Sequence, residues 1–128
     1  MAFRQLHRVR YVECDMQGVM HNSQYLAVID DAVDVWTHPV LEQCIASGWD
    51  FMVKRVDIVW HGPARHADVL QLELDVRRWG TSSFEVGVEA IVLADGLRCV
   101  SATVTYVGVD LENRRAAAVP GFVRAHLS

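Results

Sequence analysis

Between Ser23 and His38 the apolar residues Tyr25, Leu26, Val28, Ile29, Ala32, Val33, Val35 and Trp36 recur at three- and four-residue spacing. That period belongs to an α-helix. The apolar positions cover more than half of its circumference and leave water to Asp30, Asp31, Asp34 and their neighbours. A helix of this kind is expected to be largely enclosed by protein. Asn22 or Ser23 is placed to cap its start, and Pro39 to end it.

After Gly48 the period changes to two. Met52 to Trp60 reads as a strand with Val56, Ile58 and Trp60 on one face. Leu70, Leu72, Leu74 and Val76 alternate with Gln71, Glu73, Asp75 and Arg77, the pattern of a half-buried strand. Phe84, Val86, Val88, Ala90 and Val92 predict another, and Val100, Ala102, Val104 and Tyr106 a last one. Gly80-Thr81-Ser82 and Asp95-Gly96 link them, and Asp-Gly between alternating runs is a hairpin signal. A first strand is expected from about Leu6 to Glu13, and a short helix or tail after Pro120. One helix followed by antiparallel strands is an α+β pattern rather than alternating α/β. Curling the sheet around the long central helix is the economical way to enclose it. The sheet edges this leaves predict self-association as a homodimer or homotetramer.

The 128 residues fit a single domain, 1–128, and at 52% hydrophobic and 22% charged they can fill a core. A net charge of -4 without a polybasic run argues against nucleic acid. No segment approaches the ~20 apolar residues of a membrane span, and Met1-Ala2-Phe3-Arg4-Gln5 does not begin a signal peptide. Cys14, Cys44 and Cys99 have no metal-ligand spacing, so reduced thiols and a cytoplasmic location are expected. G-x-G-x-x-G, a Walker loop, G-x-S-x-G and H-E-x-x-H are all missing. No metal or cofactor is expected.

The chemistry-bearing residues gather in the loop before the helix. Asp15, Gly18, His21 and Asn22 fall within eight residues there. A carboxylate beside a helix start pairs a base or nucleophile with backbone N–H groups that can donate to a developing oxyanion. That pairing suits acyl transfer from an activated ester. An Asp-x-x-Gly segment is also a common turn, so spacing alone leaves Asp15 between the two roles.

The run Arg10-Tyr11-Val12-Glu13-Cys14-Asp15-Met16-Gln17-Gly18-Val19-Met20-His21-Asn22-Ser23-Gln24-Tyr25-Leu26 resembles the signature of the 4-hydroxybenzoyl-CoA thioesterase-like hotdog family. That signature has an aromatic, Glu-Thr-Asp, two residues, Gly, then a His- or Asn-bearing stretch before Tyr-Leu. Trp60-His61-Gly62-Pro63-Ala64-Arg65-His66-Ala67-Asp68-Val69-Leu70 and Gly80-Thr81-Ser82-Ser83-Phe84 are similar to two further blocks of the family, in the same order. The resemblance implies a hotdog fold and hydrolysis of an acyl-CoA, aromatic or medium-chain, at a site between protomers. It implies that Asp15 is the catalytic carboxylate. It implies that the backbone N–H at Asn22 polarises the thioester carbonyl and that Gly18 allows close approach. His21 is a candidate active-site contact. Val19 and Tyr25 are expected against the substrate, Ser83 near the CoA moiety, and Arg65 as a fork of donors for CoA phosphate. Asp31, on the helix, is the rival carboxylate. Cys14 replaces the usual Thr, Trp60 a Tyr and Ala67 a Gly; Val33 stands where Arg is common and Asp30 where Glu is frequent. An acyl-ACP or polyketide-associated thioesterase, a hotdog (de)hydratase and a non-catalytic acyl-binding protein remain the alternatives.

Overall fold

The computed structural model describes residues 2–128. Its strands are β1 (Phe3–Arg8), β2 (Trp49–Trp60), β3 (Val69–Trp79), β4 (Ser83–Val92) and β5 (Arg98–Asp110). Its helices are α1 (Gln24–Thr37), α2 (Leu41–Ala46) and α3 (Gly121–Leu127). The strands form one antiparallel sheet in the order β1-β3-β4-β5-β2. The α+β class expected from the sequence is therefore present.

Alternation explains the sheet's buried face. Leu72 lies opposite Ala90, Leu74 opposite Val88, Val86 opposite Val104 and Phe84 opposite Tyr106. All are buried in one cluster with Tyr25, Val28, Ile29, Ala32, Val33 and Trp36 of α1. Each Leu, Val, Ile or Phe among them gains about 1.5–3 kcal/mol on leaving water. The opposite face carries Gln71, Glu73, Glu85, Glu89, Ser101 and Thr103, half-buried polar residues at the alternate positions.

Two expectations need correction, and a third holds with an addition. The first strand ends at Arg8, and Tyr11–Glu13 forms a 3-10 turn instead of continuing it. Glu13 folds back onto the Arg10 N–H, a local hydrogen bond that competes with strand extension. As expected of Pro39, α1 stops at Thr37, although the chain stays helical past the proline. Pro39 sits in a 3-10 turn, His38–Val40, that leads into α2, because proline in a first turn lacks only a donor that would be unpaired anyway. Finally, α1 is not enclosed all round; Ala27, Asp30, Asp31, Asp34 and Val35 are exposed.

The chain's last helix ties distant parts together. Arg124 donates to the carbonyls of Gly80 (2.6 Å) and Thr81 (3.1 Å) and lies over the Trp79 ring. His126 Nε2 donates to the Trp36 carbonyl at the end of α1 (2.7 Å).

Candidate active site

The loop between β1 and α1 is held in place by a buried carboxylate. Glu13 is 2% exposed, and its Oε1 accepts from the Arg10 N–H and from His7 Nε2, both at 2.8 Å. The Arg10 guanidinium reaches Oε2 at 3.2 Å. Burial alone would push this carboxyl up; the Arg10 and His7 hydrogen bonds outweigh it and hold it below the usual carboxylate range. The Glu13 carbonyl also accepts from the His21 N–H (2.8 Å), so one residue fixes both ends of the loop.

Within that clamp the chain makes a tight turn. Asp15 N–H donates to the Val19 carbonyl (2.9 Å) and Gly18 N–H to the Asp15 carbonyl (3.1 Å). Asp15 Oδ1 accepts from the Gln17 N–H (2.8 Å), and Asp15 Oδ2 has no partner among the described residues. Gly18 has φ +74°, a conformation that a side chain would strain. The loop then docks on the link between β2 and β3. Met20 N–H donates to the Ala64 carbonyl (2.7 Å), His66 N–H to the Gly18 carbonyl (3.1 Å), and Val19 bridges Arg65.

Two clefts flank the loop. One, of about 650 Å³, is lined by Asp15, Gly18, Tyr11, Cys14, Met16 and His66. Tyr11 meets His66 edge to face at 5.9 Å. The other, of about 380 Å³, is lined by Val19, Asn22, Tyr25, Trp60 and His61. Tyr25 packs edge-on to Trp60 at 6.2 Å, and its hydroxyl accepts from the Ala64 N–H at 3.4 Å. Burial pushes the Tyr25 phenol up.

The helix start differs from simple capping. Ser23 is the N-cap residue, but its side chain makes no capping bond. Its N–H donates to His21 Nδ1 (3.1 Å), and its hydroxyl meets the same nitrogen (2.8 Å). In the tautomer that accepts this N–H, the ring proton sits on Nε2. Gln24 N–H is taken by the His21 carbonyl, whereas the Asn22 N–H finds no acceptor among the described residues. Asn22, with its unpaired N–H, thus lines the second cleft, and Asp15, with one free oxygen, the first.

The structure brings Asp15, Gly18, Val19, His21, Asn22, Tyr25 and Arg65 into one region. Ser83 lies apart from them, at the start of β4 opposite Val107 and at the other end of the β3–β4 pair from Val69. Along β3 that is roughly 30 Å. Asp31 faces neither flanking cleft; it lines a third, of about 430 Å³, with His7, Arg10 and Glu13. Sequence reasoning passed over Tyr11, Trp60, His61 and His66 as cleft residues. The signal for Tyr11 was the first similar block, and for Trp60, His61 and His66 the second, whose backbone is the surface on which the loop docks.

The sequence profile of the thioesterase-like superfamily matches residues 9–127. The chain belongs to the thioesterase-like superfamily. As a member it is an enzyme of the thioester hydrolase class. No curated protein matches it. Among solved structures, it is similar to a 1,4-dihydroxy-2-naphthoyl-CoA thioesterase from Synechocystis, with TM-score 0.88, 20% identity, and coverage of 99% of this chain and 96% of that one. YbaW, described as a probable thioesterase from Escherichia coli, gives TM-score 0.87, 21% identity, and coverage of 97% and 95%. SAV2348 from Staphylococcus aureus, solved in complex with CoA, gives TM-score 0.91, 16% identity, and coverage of 98% and 81%. These likenesses establish the shared hotdog architecture for this superfamily member.

Proposed function

We propose that this protein hydrolyses the thioester of an aromatic or medium-chain acyl-CoA, with Asp15 as nucleophile or general base. One observation carries the reading. Asp15 presents an exposed carboxylate with one uncommitted oxygen, on the same clamped loop as the Asn22 N–H that has no acceptor. A thioester carbonyl directed at that N–H would have its oxygen polarised as negative charge develops. Gly18, Val19 and Tyr25 then border the acyl group, and His21 orients the helix start through Ser23. Arg65, whose side chain is in no ion pair among the described residues, is available to CoA phosphate. The CoA carried by the similar Staphylococcus aureus protein supports that choice of carrier.

The proposal includes a sheet curled around α1, a single domain over residues 1–128, a cytoplasmic location and a homodimer or homotetramer with the site between protomers. Ser83 would reach the CoA moiety only from a second copy, given its distance from the loop in one chain. No helix is long and apolar enough to cross a membrane among the described residues. The chemistry needs no metal or cofactor, so turnover should survive a chelator.

A panel of acyl-CoAs read by release of the free thiol tests the activity. Asp15→Asn should stay folded and lose at least ~10²-fold in kcat. Asn22→Ser keeps the N–H and should change little, whereas Asn22→Pro removes it and should cost roughly 10²–10³ in kcat. Circular dichroism must show the proline variant folded. Near-native turnover in Asp15→Asn, with Asp31→Asn inactive, would move the catalytic role to α1.

A further inference from the structure

A separate cavity of about 260 Å³ lies between the second half of α1, the start of α2 and the start of β2. Asp30, Asp34, Asp50, Leu41, Phe51 and Tyr106 line it. Tyr106 is 3% exposed, and its hydroxyl has no hydrogen-bond partner. Its ring is fixed, stacked on Phe84 at 5.2 Å and edge-on to Phe51 at 5.2 Å. A buried, unsatisfied hydroxyl costs about 1–3 kcal/mol, and its aim is set by neighbours that cannot move freely.

The acids around it are equally unrelieved. None of Asp30, Asp34 and Asp50 is in a salt bridge among the described residues. Asp30 and Asp34 are one turn apart on α1, an unfavourable like-charge spacing. Asp50 Oδ1 accepts only the N–H of Phe51 (2.7 Å). Burial pushes the Asp30 carboxyl up even though the residue as a whole is exposed, and burial with the Asp30 charge pushes the Tyr106 phenol strongly up. The phenol therefore stays neutral and can accept an N–H. No three of these groups are close enough together to hold a metal ion. The apolar wall of Leu41 and Phe51 suits methylenes, and an aromatic face attracts an organic cation.

We propose that this cavity is a binding site for an aliphatic amine, its ammonium group held by Asp30, Asp34 and the Tyr106 hydroxyl oxygen, with Asp50 adding negative charge at the wall. The inference stands apart from the Asp15 clefts and does not depend on hydrolase activity.

The test is a titration of the purified full chain with 1,4-diaminobutane, followed by two-dimensional amide NMR. Matched sodium chloride and 1,4-butanediol serve as controls. One saturable site is expected, with shifts centred on Asp30, Phe51 and Tyr106 and none from butanediol. Tyr106→Phe retains the stacked ring, and Asp34→Asn changes an exposed position. Each should weaken binding by roughly tenfold or more, as for loss of a charged hydrogen bond. Non-saturating shifts, equal binding of butanediol, or wild-type affinity in both folded variants would overturn the proposal. So would dissociation of an oligomer by Asp34→Asn without competition from the diamine, which would give the cavity to a cationic side chain of a second copy.

Discussion

Glu13 shows how one side chain can set the geometry of a site it does not enter. A buried carboxylate is costly unless its oxygens are hydrogen-bonded, and here Arg10 and His7 supply the donors. The pH dependence follows from its depressed pKa. Its stabilising contribution is fully present above the unfolded value of about 4.3 and is lost as pH falls through the lower folded value. Glu13→Gln should therefore destabilise the protein by about 1–3 kcal/mol at neutral pH and by much less near pH 3. Urea unfolding at both pH values measures this, and an equal loss at each would refute the clamp. The Asp15 and Gly18 positions were legible in the sequence because they sit in a motif. The clamp was not, because a side chain bonding to a backbone three residues away leaves no periodic trace. Glu13 looked like the end of a strand for that reason.

The elements read from alternation, β3, β4 and β5, lie where the sequence put them, since each has one buried and one wet face. What escaped was α2, a single short stretch that is too brief to show a period and follows a proline. The coverage of α1 was overestimated because periodicity reports which residues are apolar and not what covers them. Val35 illustrates this at 41% exposure. Contacts between elements were not readable at all. Trp49, the first residue of β2, pairs with Asp110 of β5, lays its ring against Gly108 and donates from its ring N–H to the Ala117 carbonyl at 3.3 Å. A Cβ on Gly108 would come within 2.5 Å of Trp49 Nε1 and 2.6 Å of the Ala117 carbonyl oxygen. The second of these is backbone and cannot swing away. Gly108→Ala should cost roughly 1–3 kcal/mol through overpacking, seen as a lower thermal midpoint. An unchanged midpoint would mean that β2 and the segment after β5 are free to shift.

At the level of the molecule, β2 is an edge strand with Met52, Val53, Val59 and Trp60 all exposed. Native proteins seldom leave such an edge uncovered. Sedimentation should therefore give a species of at least twice the 14.4 kDa chain mass. A stable, active monomer would remove the basis for a site shared between protomers. The sheet order has one more result, for the time at which the site comes into being. The β3–β4–β5 meander joins neighbours along the chain, but β1 must find β3 and β2 must find β5 from far away in sequence. Such distant pairings close large loops and form late. The Asp15 turn hangs from β1, and the surface it docks on hangs from β2. Both halves of the candidate site thus arrive with the last strands to join, and a nascent chain whose meander is already complete would still be without it.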